Sequence, residues 1–341
     1  MRLEEFMFNL PPELIAQEPL EPRDACRMMV LNRATGTIEH RHFLDLADML
    51  EPGDVVVIND TRVLPGVIRG SRTSGGQIEL KLVSRKSQDV WDCLAESRRQ
   101  LEVGEILSFG DSLLVGTVLE RNVHDTGWMI RFRARDGSIE ENLLKIGQYF
   151  LPLHLPQILN DPEDYQTVYA AEMGSLQPPT AGMHFTDRSL KACQERGADI
   201  VRITQHVGRL DKRLGEDDVT QHKLYEEHYQ VSQAAADRIN EAKRTHHTVW
   251  GIGTTVTRTL ETLADDNGFI HAGDGWTDLY IYPGFKFRVL DHLLSNFQSP
   301  GITTLILACA FGGTNLVMSA YREAIQAHYR FLEFGDAILY L

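Results

Sequence analysis

Gln77-Ile78-Glu79-Leu80-Lys81-Leu82-Val83 alternates polar and apolar residues, and the fold is read outward from it. Alternation of this kind places one face of a strand in a core and the other in water. Trp128-Met129-Ile130-Arg131-Phe132 has the same texture. From about Val67 to Arg135 such short segments are separated by Gly-Gly, Gly-Asp and Asp-Thr-Gly turns. Strands at that spacing with glycine punctuation predict a small antiparallel barrel or sandwich.

On both sides of this stretch the pattern changes. Val55-Val56-Val57-Ile58 is a short, continuous β-branched run, as expected of a strand buried on both faces. Helical spacing is read at Phe43 to Leu50, Asp187 to Glu195, Ala234 to Arg244, Thr255 to Leu263 and Leu316 to His328. A short helix is read at Pro11 to Ala16, its prolines tolerated in the first turn. Strands are read at Asp199 to Thr204, His247 to Ile252, near Leu279 to Ile281, and at Ala337 to Tyr340, with apolar elements from Val289 to Phe311. Alternation of strands and helices argues for an α/β fold with parallel sheet. The expected organisation is a discontinuous α/β domain, residues 1–65 and 151–341, with an inserted small antiparallel β-barrel domain, residues 66–150.

The bulk numbers bound the function. With 43% hydrophobic and 24% charged residues among 341, the chain is globular and not disordered. No apolar run is long enough to cross a bilayer and no secretory signal follows the charged start Met1-Arg2-Leu3-Glu4-Glu5, which gives the expectation of a cytoplasmic protein with no membrane partner. Cys26, Cys93, Cys193 and Cys309 form no CxxC pair, so reduced, buried thiols are expected instead of a zinc site or disulfide framework. A net charge of −14 leans away from nucleic acid and towards small molecules. Between Gly66 and Gln100, however, Arg69, Arg72, Lys81, Arg85, Lys86, Arg98 and Arg99 outnumber four acidic residues. That basic stretch is either an RNA contact or a solvated strand face.

Four segments carry candidate chemistry. Gln177-Pro178-Pro179-Thr180-Ala181-Gly182-Met183-His184-Phe185-Thr186 is a stiff polar loop ahead of a helix, suited to a ligand; the plainer alternative is a loop whose Thr186 or Asp187 caps that helix. Thr204-Gln205-His206-Val207-Gly208 closes a predicted strand at the edge where α/β folds bind ligands. His206 there is a candidate acid or base, or a hydrogen-bonded structural histidine. Downstream, His222 and Glu227 could face the same site, although no metal-ligand spacing accompanies them. Trp250-Gly251-Ile252-Gly253-Thr254-Thr255 is a glycine-rich strand-to-helix turn whose amides could approach an anion or ribose, but it lacks the third glycine of a dinucleotide fingerprint. Tyr280-Ile281-Tyr282-Pro283-Gly284-Phe285 could stack a base or pack a core.

Taken together, these segments resemble the S-adenosylmethionine:tRNA ribosyltransferase-isomerases of queuosine synthesis. The resemblance runs almost the full chain. It includes Leu14-Ile15-Ala16-Gln17-Glu18-Pro19, Asn59-Asp60-Thr61-Arg62-Val63, Tyr165-Gln166-Thr167-Val168-Tyr169, Pro179 to Phe185, His206-Val207-Gly208, Gly253-Thr254-Thr255 with Arg258, Ile281 to Phe285, Asn296-Phe297, and Tyr329-Arg330-Phe331. It implies a large α/β domain with an inserted barrel. It also implies that the ribosyl group of S-adenosylmethionine, a substrate and not a recycled cofactor, is transferred to 7-aminomethyl-7-deazaguanine at the tRNA wobble position and isomerised to epoxyqueuosine. Adenine and methionine leave, and no metal is called for. Such chemistry needs a base for an acidic proton beside the sulfonium, donors that help adenine depart, and a dry pocket. His184 and His206, with His222 and Glu227, are the candidates for proton transfer. Thr180, Gly182, Thr254, Thr255, Arg258, Tyr282 and Asn296 are the candidates for holding substrate. A monomer is expected.

The chain departs from the family pattern at identifiable places. Arg209-Leu210-Asp211-Lys212-Arg213 stands where the family usually has a glycine-rich continuation. Tyr225 occupies the second histidine position of a His-x-x-His-x-Glu pattern, Gln298 follows Asn296-Phe297 in place of histidine, and Ile302 stands at a serine position. Two further readings therefore accompany the family reaction: an enzyme using S-adenosylmethionine on another acceptor, and a catalytically silent RNA-binding protein.

Overall fold

The computed structural model describes residues 1–341 except 123–126, 160, 209–213 and 216. A nine-stranded sheet forms the body, in the order Gly273–Thr277, Glu227–Val231, Asp199–Gln205, Val55–Asn59, Val249–Ile252, His292–Asn296, Ala337–Tyr340, Arg27–Asn32, Thr37–His42. Its four central strands, from Asp199–Gln205 to His292–Asn296, run parallel, while Gly273–Thr277 and Glu227–Val231 at one end and Thr37–His42 at the other pair antiparallel. Every residue of Val55–Asn59 is buried, because helices cover both faces of a parallel sheet and leave no solvated side to its strands. Apolar residues on one face pack with Gln233–Arg244, Thr254–Leu263, Thr303–Gly312 and Thr314–Gln326, and those on the other pack with Phe43–Met49 and Asp187–Glu195.

The barrel is closed and antiparallel, in the order Trp128–Ala134, Val90–Glu96, Gln77–Arg85, Val67–Arg72, Ile106–Phe109, Leu114–Arg121. The alternation that announced it is explicit in Gln77–Arg85, where Ile78, Leu80 and Leu82 are buried and Gln77 is exposed. Closure removes unpaired edges, and Trp91, Phe109 and Phe132 fill the interior. Five of the seven basic residues between Gly66 and Gln100 are paired with carboxylates: Arg69 with Glu79, Arg72 with Glu105, Lys81 with Glu96, Arg85 with Glu140, and Arg99 with Glu102. Arg72 is buried and structural.

Several sequence readings shift. Phe43–Met49 and Pro12–Leu14 form tight 3₁₀ turns instead of α-helix, and Thr186 caps Asp187–Glu195 through a hydrogen bond from the Ser189 amide (3.3 Å). Leu279 to Ile281 is not a strand; the strand is Gly273–Thr277, just before it. Glycines Gly273 and Gly275 would argue for a turn, but pairing with Glu227–Val231 and cover from the Tyr229 ring hold them extended. Arg27–Asn32, which the sequence reading leaves unassigned, is a strand between Ala337–Tyr340 and the edge strand Thr37–His42. All four cysteines are free and buried. Among the described residues no single helix is long and apolar enough to cross a membrane.

Ile58 is fully buried in the central strand. Ile58→Ala is expected to cost about 2–5 kcal/mol through lost burial and a residual cavity, read as a lower urea midpoint with an unchanged slope.

Candidate functional site

The C-terminal ends of the parallel strands fall along one edge, and the chain leaving each of them carries a polar segment. Asn59 ends one strand, Gln205 the next, Gly253 follows the third and Asn296 ends the fourth. Gly253 has φ of +94°, a conformation costly for residues with a Cβ, and it starts Thr254–Leu263, so the Thr254 and Thr255 amides lie in the first turn, where helical N–H groups are unpaired. Asn59 ties these ends together. Its Oδ1 accepts from the amides of Gln205 (2.9 Å) and Thr61 (3.2 Å), and its Nδ2 donates to Gln205 O (2.9 Å) and Thr255 Oγ1 (3.2 Å).

Above this edge lies a cleft of about 1190 Å³. Its floor is Gly253, Thr254, Thr255, Ser295 and Asn296, and one wall is the barrel face of Val67, Arg69, Glu79 and Lys81. Gln148 to Leu159 form a second wall, and Gln177 to Ala181, Gln298, Ile302, Thr304, Leu332 and Glu333 complete it. Gln298 is held by its own loop: its Nε2 donates to Asn296 O (3.0 Å), and its Oε1 accepts from Thr304 Oγ1 (2.8 Å).

Of the residues put forward for proton transfer or for holding substrate, Thr180, Thr254, Thr255 and Asn296 line this cleft. The others do not. Gly182 is buried behind it, where a Cβ would lie 2.0 Å from the Tyr169 hydroxyl; it permits packing. His184 is buried with Nδ1 3.3 Å from Cys26 Sγ and lines a small neighbouring cavity with Arg23 and Glu333. Burial pushes its pKa down to about 4, the facing Asn296 amide opposing this and Arg330 adding to it. His206 bonds through Nδ1 to Thr61 Oγ1 (2.8 Å) and stacks on His228, 5.8 Å between centroids. Burial, then the neighbouring charges of His228 and Arg85, bring it to about 4 as well. Its neighbour Val207 reaches the cleft instead.

Glu227 and Arg258 form a buried ion pair on the far side of Gln205. Glu227 also accepts from Gln205 Nε2 (2.7 Å) and the Gly208 amide (3.3 Å), while Arg258 donates to the carbonyls of Leu279 (2.9 Å) and Thr277 (3.1 Å). With its donors occupied in this way, the guanidinium anchors the edge strand. His222 packs edge-on against Tyr280, 5.4 Å between centroids, and Tyr282 lies beside the same ring at 5.5 Å, away from the cleft lining. Tyr225 is exposed. Gln298 and Ile302 lie in the cleft wall, whereas Arg209 to Arg213 fall outside the described residues. Among the described residues no group of three or more His, Cys, Asp or Glu is placed to hold a metal ion.

Sequence reasoning missed the segment from Gln148 to Leu159, which carries His154, and it missed Glu333. Neither lies in a motif with its own spacing; their only signal is proximity in the folded chain.

A large cleft with polar groups on its floor, at the carboxyl ends of parallel strands, is where α/β proteins bind and transform small molecules. The chain belongs to the queuosine biosynthesis protein family, which matches residues 3–340, and is thereby an S-adenosylmethionine:tRNA ribosyltransferase-isomerase family member, an enzyme of the transferase and isomerase class. It is 48% identical over 343 residues to a protein of Symbiobacterium thermophilum and 45% identical over 344 residues to one of Moorella thermoacetica, each aligned over the full length of both chains; both carry that family's name. The crystal structure of an S-adenosylmethionine tRNA ribosyltransferase from Thermotoga maritima shares 33% identity with a TM-score of 0.56, covering 99% of this chain and all of the other.

His184 and His206 are neutral in the fold below about pH 6.5 while the unfolded chain takes up protons. Stability is therefore lost as pH falls from about 6.5 towards 4, and His184→Gln is expected to flatten that slope in urea melts run at stepped pH. Glu227→Ala leaves the Arg258 charge buried and unpaired and is expected to cost about 3–5 kcal/mol, with Glu227→Gln costing less, both read by thermal denaturation.

Proposed function

We propose that the cleft carries out the reaction of the named relatives: transfer and isomerisation of the ribosyl group of S-adenosylmethionine onto 7-aminomethyl-7-deazaguanine in tRNA, yielding epoxyqueuosine, adenine and methionine. The observation that carries this reading is the convergence of the matched segments around Asn59, Gly253 and Asn296 on one cleft, in a chain similar over its full length to proteins of that name. S-adenosylmethionine enters as a substrate, and the reading calls for no metal or recycled cofactor.

The assignments follow from placement. The amides and hydroxyls of Thr254 and Thr255 start a helix and suit the ribose hydroxyls or the methionine carboxylate. Thr180 and Asn296 face the same space. At this size the cleft suits both the nucleoside donor and an everted base. Arg69 and Lys81 at its barrel wall hold carboxylates in exposed ion pairs, which are individually weak and exchangeable for RNA phosphates. Gln298, at a position where histidine is usual, retains a donor and an acceptor. We also propose two domains, residues 1–65 with 151–341 and the insertion 66–150, acting as a cytoplasmic monomer.

The test is turnover with S-adenosylmethionine and tRNA bearing 7-aminomethyl-7-deazaguanine, followed by adenine release and mass spectrometry of the nucleoside. Both products are expected, with tRNA binding weakening steeply as salt rises. Thr254→Val is expected to raise KM for S-adenosylmethionine about tenfold through loss of one hydrogen bond. Binding of S-adenosylmethionine without adenine release from this tRNA would redirect the search to another acceptor.

A further inference from the structure

None of the three histidines that the sequence offered for proton transfer, His184, His206 and His222, lines the cleft, and burial holds His184 and His206 at about 4. Among the described residues one histidine does line it. His154 sits in the wall segment, with Nε2 2.6 Å from Glu333 Oε2, and Glu333 lines the same cleft. The Glu333 carboxylate accepts the Nε2 proton, so neutral His154 carries its hydrogen there and leaves Nδ1 as the basic nitrogen. Among the described residues Nδ1 makes no hydrogen bond. The side chain is 27% exposed, which keeps a route for the proton to solvent, while that of Glu333 is 16% exposed.

The approach of Glu333 is built with care. Leu332 holds φ of +70°, an unusual conformation for a bulky residue that persists only where the surroundings enforce it. Three hydrogen bonds do so: the Leu332 amide to Phe297 O (2.9 Å), the Gly335 amide to Leu332 O (3.0 Å), and Asn296 Nδ2 to Leu332 O (2.9 Å). Asn296 Nδ2 also reaches Glu333 O at 3.4 Å. The carboxylate that orients His154 is thus fixed by the residue at the end of the strand that floors the cleft.

We infer that His154 is the proton acceptor of the reaction and that Glu333 is the positioning residue that selects its accepting tautomer. This rests on the reading of the cleft given above. A carbon attached to a sulfonium has acidic hydrogens. Nδ1 of His154 takes one as a proton, the C–H electron pair stays on that carbon, stabilised by the adjacent positive sulfur, and the imidazolium formed is met by the Glu333 carboxylate. The same proton can then pass to adenine as it departs, which returns His154 to neutrality. The other ionisable groups on the cleft walls are Glu79, Lys81, Arg69 and Tyr149, with Tyr165 beneath Glu333.

The experiment compares wild type, His154→Gln and Glu333→Gln for adenine release across pH, with the melting-temperature rise on adding S-adenosylmethionine as a check on folding and binding. His154→Gln is expected to keep that rise, to lose about 10²–10⁴-fold in kcat, and to lose the acidic limb of the wild-type pH profile. Glu333→Gln is expected to lower kcat with little change in KM. With wild type, S-adenosylmethionine carrying deuterium on the carbon next to the sulfonium should lose one deuterium from that position in the product and release adenine more slowly than unlabelled substrate. Full turnover by His154→Gln, or a residual rate with the wild-type acidic limb intact, overturns the role of His154 while leaving the reaction standing. Should His154→Gln fail to fold, His154→Asn and the Glu333→Gln profile decide the same question. A wild-type protein that binds S-adenosylmethionine but releases no adenine with the tRNA overturns the reaction, and the inference falls with it.

Discussion

The carboxamide of Asn59 is the contact on which the cleft depends. Fully buried at the end of the central strand, it uses two donors and two acceptor sites on three different segments, and so sets where the Asp199–Gln205 strand, the Thr61–Val63 strand and the Thr255 hydroxyl stand relative to one another. A buried amide is stable only with its hydrogen bonds complete. The strand ends that floor the cleft are therefore registered by a group that tolerates little displacement.

Around that anchor the protein separates charge by task. Where rigidity is needed, ionisable groups are buried and satisfied: Glu227 with Arg258 behind the edge strands, and Asp24 with Arg188 and Thr186 at a helix start. His184 and His206 are likewise desolvated beside the neutral partners Cys26 and Thr61, although His184 Nε2 has no hydrogen-bond partner among the described residues. In the cleft the polar groups remain accessible, and the histidine–glutamate pair there keeps contact with solvent.

Much of the architecture was legible in the sequence because it rests on local patterning. Alternation at Gln77 to Val83 and the β-branched run at Val55 to Ile58 identified barrel and parallel sheet, and Asp187–Glu195 begins and ends where its spacing and cap predicted. The sequence reading places a strand near Leu279 to Ile281 and passes over Gly273–Thr277, whose extended form is imposed by a neighbour and not by its own side chains. The same distinction runs through the site. Thr254 and Thr255 follow from Gly253 and a strand-to-helix turn, a signal carried within a few residues. Arg258, one turn later on the same helix, carries an equally suggestive guanidinium, yet Glu227 from a distant strand claims it.

What the sequence determined by itself is the pairing of barrel with parallel sheet, many of the helices and strands, and the family to which the chain belongs, because hydrophobic period, turn chemistry and ordered motifs are properties of neighbours along the chain. Only the tertiary structure decided which polar residues face the cleft. His184 and His154 are thirty positions apart and indistinguishable as titratable side chains; one is sealed beside Cys26 and the other is drawn to Glu333 at the cleft wall. Solvent exposure and the partner at hydrogen-bond distance set their proton chemistry, and both come from packing between segments far apart in sequence.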